Sequence, residues 1–391
     1  MAVPRLRSYE GPAFLSYGFR PFFLLGSAYA GLSILFWLPA YSGHVETFSL
    51  FAPVDWHVHE MLFGYLAAVV TGFLLTAIPN WTGRLPVLGL PLLGLMSLWI
   101  AGRFAVFFSD LLGWQLTAII DCAFLAAVGA AAAREIISGR NWRNLKVLVP
   151  LAVLLAANIC FHVEAHLYGM SDASRRLGIG AAILLIMIIG GRIIPSFTRN
   201  WLARENPGRL PAPFGRFDMV SLAVSAGALL AWTALPDSVG SAALLAVAGA
   251  LQAARLARWA GDRTVADPLV LILHLAYAFI PVGMLLIALA IVLPSTVPAA
   301  AGIHALGGGA IGAMTLAVMV RATLGHTGRA LQAGRAGMFV FAAVLLGGLV
   351  RIAAAFVPDP LLIQLAGVAW AAAFLGYAVA FAAALTQPRA I

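Results

Sequence analysis

Hydrophobic residues run along this chain in long unbroken stretches. Ala181–Gly190 and Pro281–Leu293 carry no charged side chain at all. Strands of a membrane barrel would alternate apolar and polar positions, so continuous runs predict helices. Twelve such runs follow one another, at 19–40, 56–78, 88–107, 114–133, 145–167, 175–195, 218–235, 239–259, 268–293, 297–320, 337–357 and 361–385. Each is close to the roughly 20 residues that a bilayer requires. In lipid every backbone N–H and C=O needs an internal partner, which a helix supplies. The expected fold is all-α, a polytopic membrane bundle of about twelve helices, with 1–391 forming a single integral membrane domain.

Composition excludes the soluble alternative. Only 10% of the residues are charged and 62% are apolar, against roughly a quarter charged in soluble domains. Mean hydropathy is +0.96. Too little polar surface exists to face water, so the bilayer is the expected partner.

The formal charge of +9 would suggest nucleic acid in a soluble protein. Here its distribution explains it. The N-terminus and even-numbered connections hold Arg5, Arg7, Arg20, Arg84, Arg134, Arg140, Arg143, Lys146, Arg192, Arg199, Arg204, Arg209, Arg216, Arg255, Arg258, Arg263, Arg321, Arg329 and Arg335, and the C-terminus adds Arg389. Only Arg103, Arg175, Arg176 and Arg351 fall on or near the other side. The positive-inside rule then places both termini in the cytoplasm, with no nucleic-acid partner. The first apolar run lacks a small-residue cleavage site and reads as a permanent anchor. Cys122 and Cys160 lie within spans and argue against a disulfide framework. No C-x-x-C-H occurs, so no covalently attached haem is encoded.

The longest connection, Arg192–Phe217, is basic and holds Pro207, Pro211 and Pro213. It is the natural seam between two six-helix halves. Spans two, six and ten end in AIPNWTGR, RIIPSFTRNW and RATLGHTGR. Recurrence every four helices hints at three pseudo-symmetric four-helix units, although basic helix ends also arise by chance.

Ionisable groups inside a bilayer are costly and mark function by default. His57 and His59 sit at the outer end of span two, His162 and His166 near the outer end of span five, and His304 in the outer half of span ten. Five imidazoles from three helices thus share one depth. His162 and His166 in HVEAH are four apart, face the same way on a helix and can chelate one metal ion. His57 and His59 in WHVHE diverge by roughly 200° on a regular helix, which gives two neighbouring sites, one on each side of span two. Imidazole suits iron, copper and zinc, and haem iron commonly takes an axial histidine inside a bundle. HVEAH is not the H-E-x-x-H of zinc proteases. His274 reads as a hydrogen-bonded packing residue, and His44 and His326 as solvated loop residues.

Glu60, Glu164 and Asp121 accompany the histidines. Each can orient an imidazole or carry protons. The plainer readings are a dipole-favoured N-terminal residue for Glu60 and an interhelical hydrogen bond for Asp121. Glu164 lies two positions from each flanking histidine and should face elsewhere. Gly307–Gly309 with Gly312 suits close helix packing, or room beside a flat macrocycle.

The strings SYGFRPFF at Ser16–Phe23, WHVHEMLFGY at Trp56–Tyr65, GFLLTAIPNWTGR at Gly72–Arg84, GGRIIPSFTRNWL at Gly190–Leu202 and GGGAIGAMTLAVMVRATLGHTGR at Gly307–Arg329 resemble the NnrS family across nearly the whole chain. The resemblance implies a bacterial inner-membrane protein of the nitric oxide response that contains non-covalent haem and copper. It does not assign the histidines to the metals. Haem and copper in twelve helices also resemble the main subunit of haem–copper oxidases, three four-helix arcs, although the histidine pattern differs. The expected function is a redox protein that removes or reduces nitric oxide, a nitric oxide reductase-like oxidoreductase drawing electrons from quinol or another membrane donor. A non-catalytic nitric oxide or haem sensor, an iron protector and a twelve-helix transporter are the alternatives.

Overall fold

The structure, a computed structural model, describes residues 9–389. Arg5 and Arg7 of the basic set lie outside the described residues. Twelve helices are long and apolar enough to cross a membrane: α1 Phe19–Tyr41, α2 Pro53–Thr82, α3 Leu90–Phe107, α4 Trp114–Ser138, α5 Trp142–Tyr168, α6 Asp172–Glu205, α7 Arg216–Ala234, α8 Val239–Arg263, α9 Pro268–Val292, α10 Ala299–His326, α11 Gly334–Phe356 and α12 Pro360–Thr386. No strand occurs among the described residues. The chain is an all-α membrane protein.

One boundary differs from the sequence reading. The connection expected over Arg192–Phe217 is helical as far as Glu205, which leaves 206–215 as the link to α7. At 1.5 Å per residue α6 is about 51 Å long, more than the hydrocarbon needs, so polar residues occupy its end without breaking it. Pro195 lies inside this helix, and Thr198 Oγ1 bonds the carbonyl of Ile194 beside it at 2.8 Å.

The chain divides into two compact units. The first holds residues through Gly178, Ala322–Ala330 and the residues from Tyr377 onward; the second holds Ile179–Arg321 and Leu331–Gly376. In the first unit α2 is the central helix and packs against α1, α3 and α4, while α5 packs on α4. In the second unit α8 packs between α7 and α9, and α10 packs between α9 and α11.

α2 and α10 are the two most buried spans, and both depart from α-helix at corresponding places. Glu60–Leu66 and Ala305–Gly312 are π-helical. A π-helical turn inserts an extra residue and rotates everything before it, and such turns concentrate at functional sites. In α2 the insertion follows His59 directly.

A candidate metal centre in the first unit

Five helices of the first unit place polar side chains around His59. α2 supplies His59 and Glu60, α3 Arg103, α4 Asp121, α5 Asn158 and His162, and α1 Tyr29. His59 and Glu60 are wholly buried, and Asp121 and His162 are 2% exposed. Phe51, Phe63 and Phe161 ring the imidazoles, with centroids 5.1–5.3 Å from His59, and keep water out.

The hydrogen bonds form a closed set. His59 Nδ1 lies 2.9 Å from Glu60 Oε1, and His59 Nε2 lies 3.0 Å from Asn158 Oδ1 and 3.2 Å from Asp121 Oδ2. His162 Nε2 meets the same Asp121 oxygen at 3.1 Å, and Asn158 Nδ2 donates to it at 2.8 Å. Arg103 donates through Nη1 to Glu60 and through Nη2 to Asp121. Tyr29 donates its hydroxyl to Glu60. A Cβ on Gly64 would stand 2.7 Å from Arg103 Nη1, so glycine at this π-helical position admits the guanidinium.

Two features fit this site to a cation. Glu60 and Asp121 bring two negative charges and Arg103 one positive, which leaves a deficit of one in a low-dielectric interior where unbalanced charge is expensive. Both ring nitrogens of His59 also face acceptor oxygens, whereas a neutral imidazole has one proton to give. A proton or a metal ion must sit among His59 Nε2, His162 Nε2 and Asp121 Oδ2. These three ligand atoms lie within 4.8 Å of one another, and this is the one such group among the described residues. Two imidazoles and one carboxylate are a common donor set for first-row metals.

A family model described as NnrS protein matches residues 13–389. The chain belongs to the NnrS family. No curated protein and no solved structure matches it.

The depth and spacing of ionisable residues along the chain named more residues than this cluster gathers. His59, Glu60, Asp121 and His162 come together; His57, His166 and Glu164 do not join them. His57 faces away from His59, as the helical angle requires, and stacks on Trp37 at 4.5 Å. His166 is exposed and stacks on Trp114 at 4.4 Å, so the four-residue spacing of HVEAH does not chelate one ion here. Glu164 turns to the start of α6 and accepts from the amides of Asp172, Ala173 and Ser174 at 2.8–3.0 Å. That is a helix-capping carboxylate. His304, in the second unit, pairs Nδ1 with the carbonyl of Ala300 at 2.7 Å. His274 bonds Thr198 at 2.9 Å, a packing role. His326 is not a solvated loop residue: it ends α10 half-buried and stacks against Phe19 and Tyr17.

Three members of the cluster escaped the sequence reading. Arg103 left a signal, because it is one of four basic residues that broke the sidedness of charge. Asn158 left a weaker one, four residues before His162 on the same helical face. Tyr29 left none.

Proposed function

We propose that this protein is a haem- and copper-containing redox protein of the bacterial inner membrane, with both termini cytoplasmic, that removes or reduces nitric oxide. The observation that carries the reading is the buried convergence of His59, Asp121 and His162 in a chain of the NnrS family. Copper suits the two imidazoles and the carboxylate, and bound there it supplies a one-electron, ligand-binding centre.

The protein's own groups do the rest. Glu60 holds His59 at Nδ1 and so aims Nε2 at the centre, the usual support for a ligating imidazole. Arg103 fixes both carboxylates in place. The phenylalanine ring keeps the site dry, and a small uncharged gas soluble in lipid needs no polar channel to reach it. Tyr29 donates its hydroxyl to Glu60, which meets His59 Nδ1, a chain along which a proton can pass toward His59. Electrons come from quinol or another membrane donor. Apart from the turn at 258–260 near the end of α8, the described spans are helical throughout, without the unwound midplane segments of many transporters, which favours a cofactor role over transport.

Anaerobic nitric oxide consumption by protein purified in detergent tests the reading, alongside its optical spectrum and copper content. A Soret band, bound copper and reductant-dependent consumption above that of free haem are expected. Stable nitric oxide binding without turnover would favour the sensor or iron-protecting role instead. A colourless, copper-free protein would overturn the cofactor reading.

A further inference from the structure

The strings SYGFRPFF and HTGR, far apart in the chain, meet at one end of the first unit. Tyr17 and Phe19 stand against His326, with ring centroids 5.8 and 5.5 Å away. Arg20 donates through Nη1 to the carbonyls of Ala384, Leu385 and Gln387 at 3.3, 3.1 and 2.7 Å. The start of α1 is thereby tied to the last turns of α10 and α12, which belong to the same unit.

Positive charge gathers there without an opposite. Arg329 lies within electrostatic reach of Arg20, and Arg389 within reach of His326. Among the described residues no carboxylate pairs with Arg20, Arg329 or Arg389, whereas the buried guanidiniums of Arg103 and Arg255 each have one. The carbonyl end of α12 offers Arg20 about half a negative charge. That leaves two arginines unmatched, and Arg329 Nη1 is buried with no hydrogen-bond acceptor among the described residues.

Sidedness of loop charge does not account for this arrangement. A loop arginine is satisfied by water at the membrane surface, but Arg20 is 4% exposed inside the first turn of α1. Unmatched buried donors call for an acceptor from outside the chain. Arg389 is exposed and Arg329 half-buried, so an anion can approach from the helix ends. Guanidinium forks suit phosphate oxygens. The place selects the source: α1 begins and α10 and α12 end at the level of the lipid headgroups, where basic recesses between helices recognise anionic lipids. Val379, about two turns before the end of α12, is 79% exposed, an apolar surface for acyl chains that a free phosphate would not use.

We propose that Arg20, Arg329 and Arg389 form a site for the phosphate of an anionic phospholipid. Arg329 and Arg389 contact the headgroup, and Arg20, held by the end of α12, adds its positive field beneath them.

Native mass spectrometry and thermal denaturation of the full-length protein in detergent test this, with phosphatidylglycerol, phosphatidylcholine or inorganic phosphate added. The wild type should retain phosphatidylglycerol in preference to phosphatidylcholine, gain melting temperature from it, and lose it to a high-salt wash. Arg329→Gln combined with Arg389→Gln should bind it about 30-fold more weakly, since each arginine near a charged membrane surface contributes a factor of about five. Arg329→Lys with Arg389→Lys keeps both charges and should still prefer phosphatidylglycerol, which separates lost charge from lost fold. Arg204→Gln, altering an exposed arginine paired with Glu205, should bind as the wild type does. Equal retention of the two lipids by the wild type would overturn the proposal, as would undiminished binding in the double glutamine variant. Stabilisation by millimolar inorganic phosphate equal to that by phosphatidylglycerol would overturn the lipid as the source of the phosphate.

Discussion

Arg103 Nη2 binds Asp121 across the α3–α4 contact, and Nη1 of the same guanidinium binds Glu60 on α2. One cation thus holds two carboxylates whose outer faces present oxygen to His59. Arg103 is 7% exposed, so neither acid has water to fall back on.

Removing the guanidinium should unfold the site before it changes any chemistry. Arg103→Met is expected to cost about 3–5 kcal/mol by stranding two buried carboxylates, seen as a lower melting temperature in detergent. Arg103→Lys should recover little, because a single ammonium cannot span both acids with the same fork. Adding Glu60→Gln and Asp121→Asn to Arg103→Met should restore much of the loss. An unchanged melting temperature in Arg103→Met would contradict the pairing.

Asn158 touches the cluster through both ends of its amide. Its Oδ1 faces His59 and its Nδ2 donates to Asp121. Asn158→Ala should weaken copper retention about 10- to 100-fold under chelator challenge, with little change in helical content. Asp121→Asn should lose the metal outright. His166→Ala, which alters an exposed stack on Trp114, should match the wild type in copper per chain.

Glu164 is predicted to matter for stability alone. Its two oxygens satisfy three amides at the start of α6. Glu164→Ala should cost about 1 kcal/mol, read by thermal denaturation, while leaving cofactor content and nitric oxide handling as in the wild type. A selective loss of activity at unchanged stability would restore a catalytic role for it.

The second unit contains a different strain-sensitive point. Arg255 is fully buried, bonds Asp218 at 2.9 Å and Tyr277 at 3.0 Å, and lies against Gly191 of α6. A Cβ on Gly191 would stand 2.1 Å from Arg255 Nη2. Gly191→Ala should therefore destabilise by about 1–3 kcal/mol through overpacking. Gly227→Ala, with open space at the same test position, should be neutral. Equal melting temperatures for the two variants would show that Arg255 can move aside.

The apolar runs alone determined that this chain crosses a membrane twelve times as helices, because a bilayer accepts no other backbone arrangement from continuous hydrophobic stretches. The residues of the NnrS pattern were equally plain in the chain, and so was the cost of burying histidines and acids. Which of those groups meet was not legible. His162 and His166 look equivalent four residues apart, yet one turns toward Asp121 and the other toward Trp114. That choice depends on which neighbouring helix lies across each face, and on the π-helical turn after His59 that sets the rotation of α2. Arg103 looked like an exception to the sidedness of charge; only packing showed a cation drawn inward by two acids from other helices. Spacing along one helix fixes relative angles, but the partner at each angle comes from segments distant in sequence, and that is decided by tertiary structure.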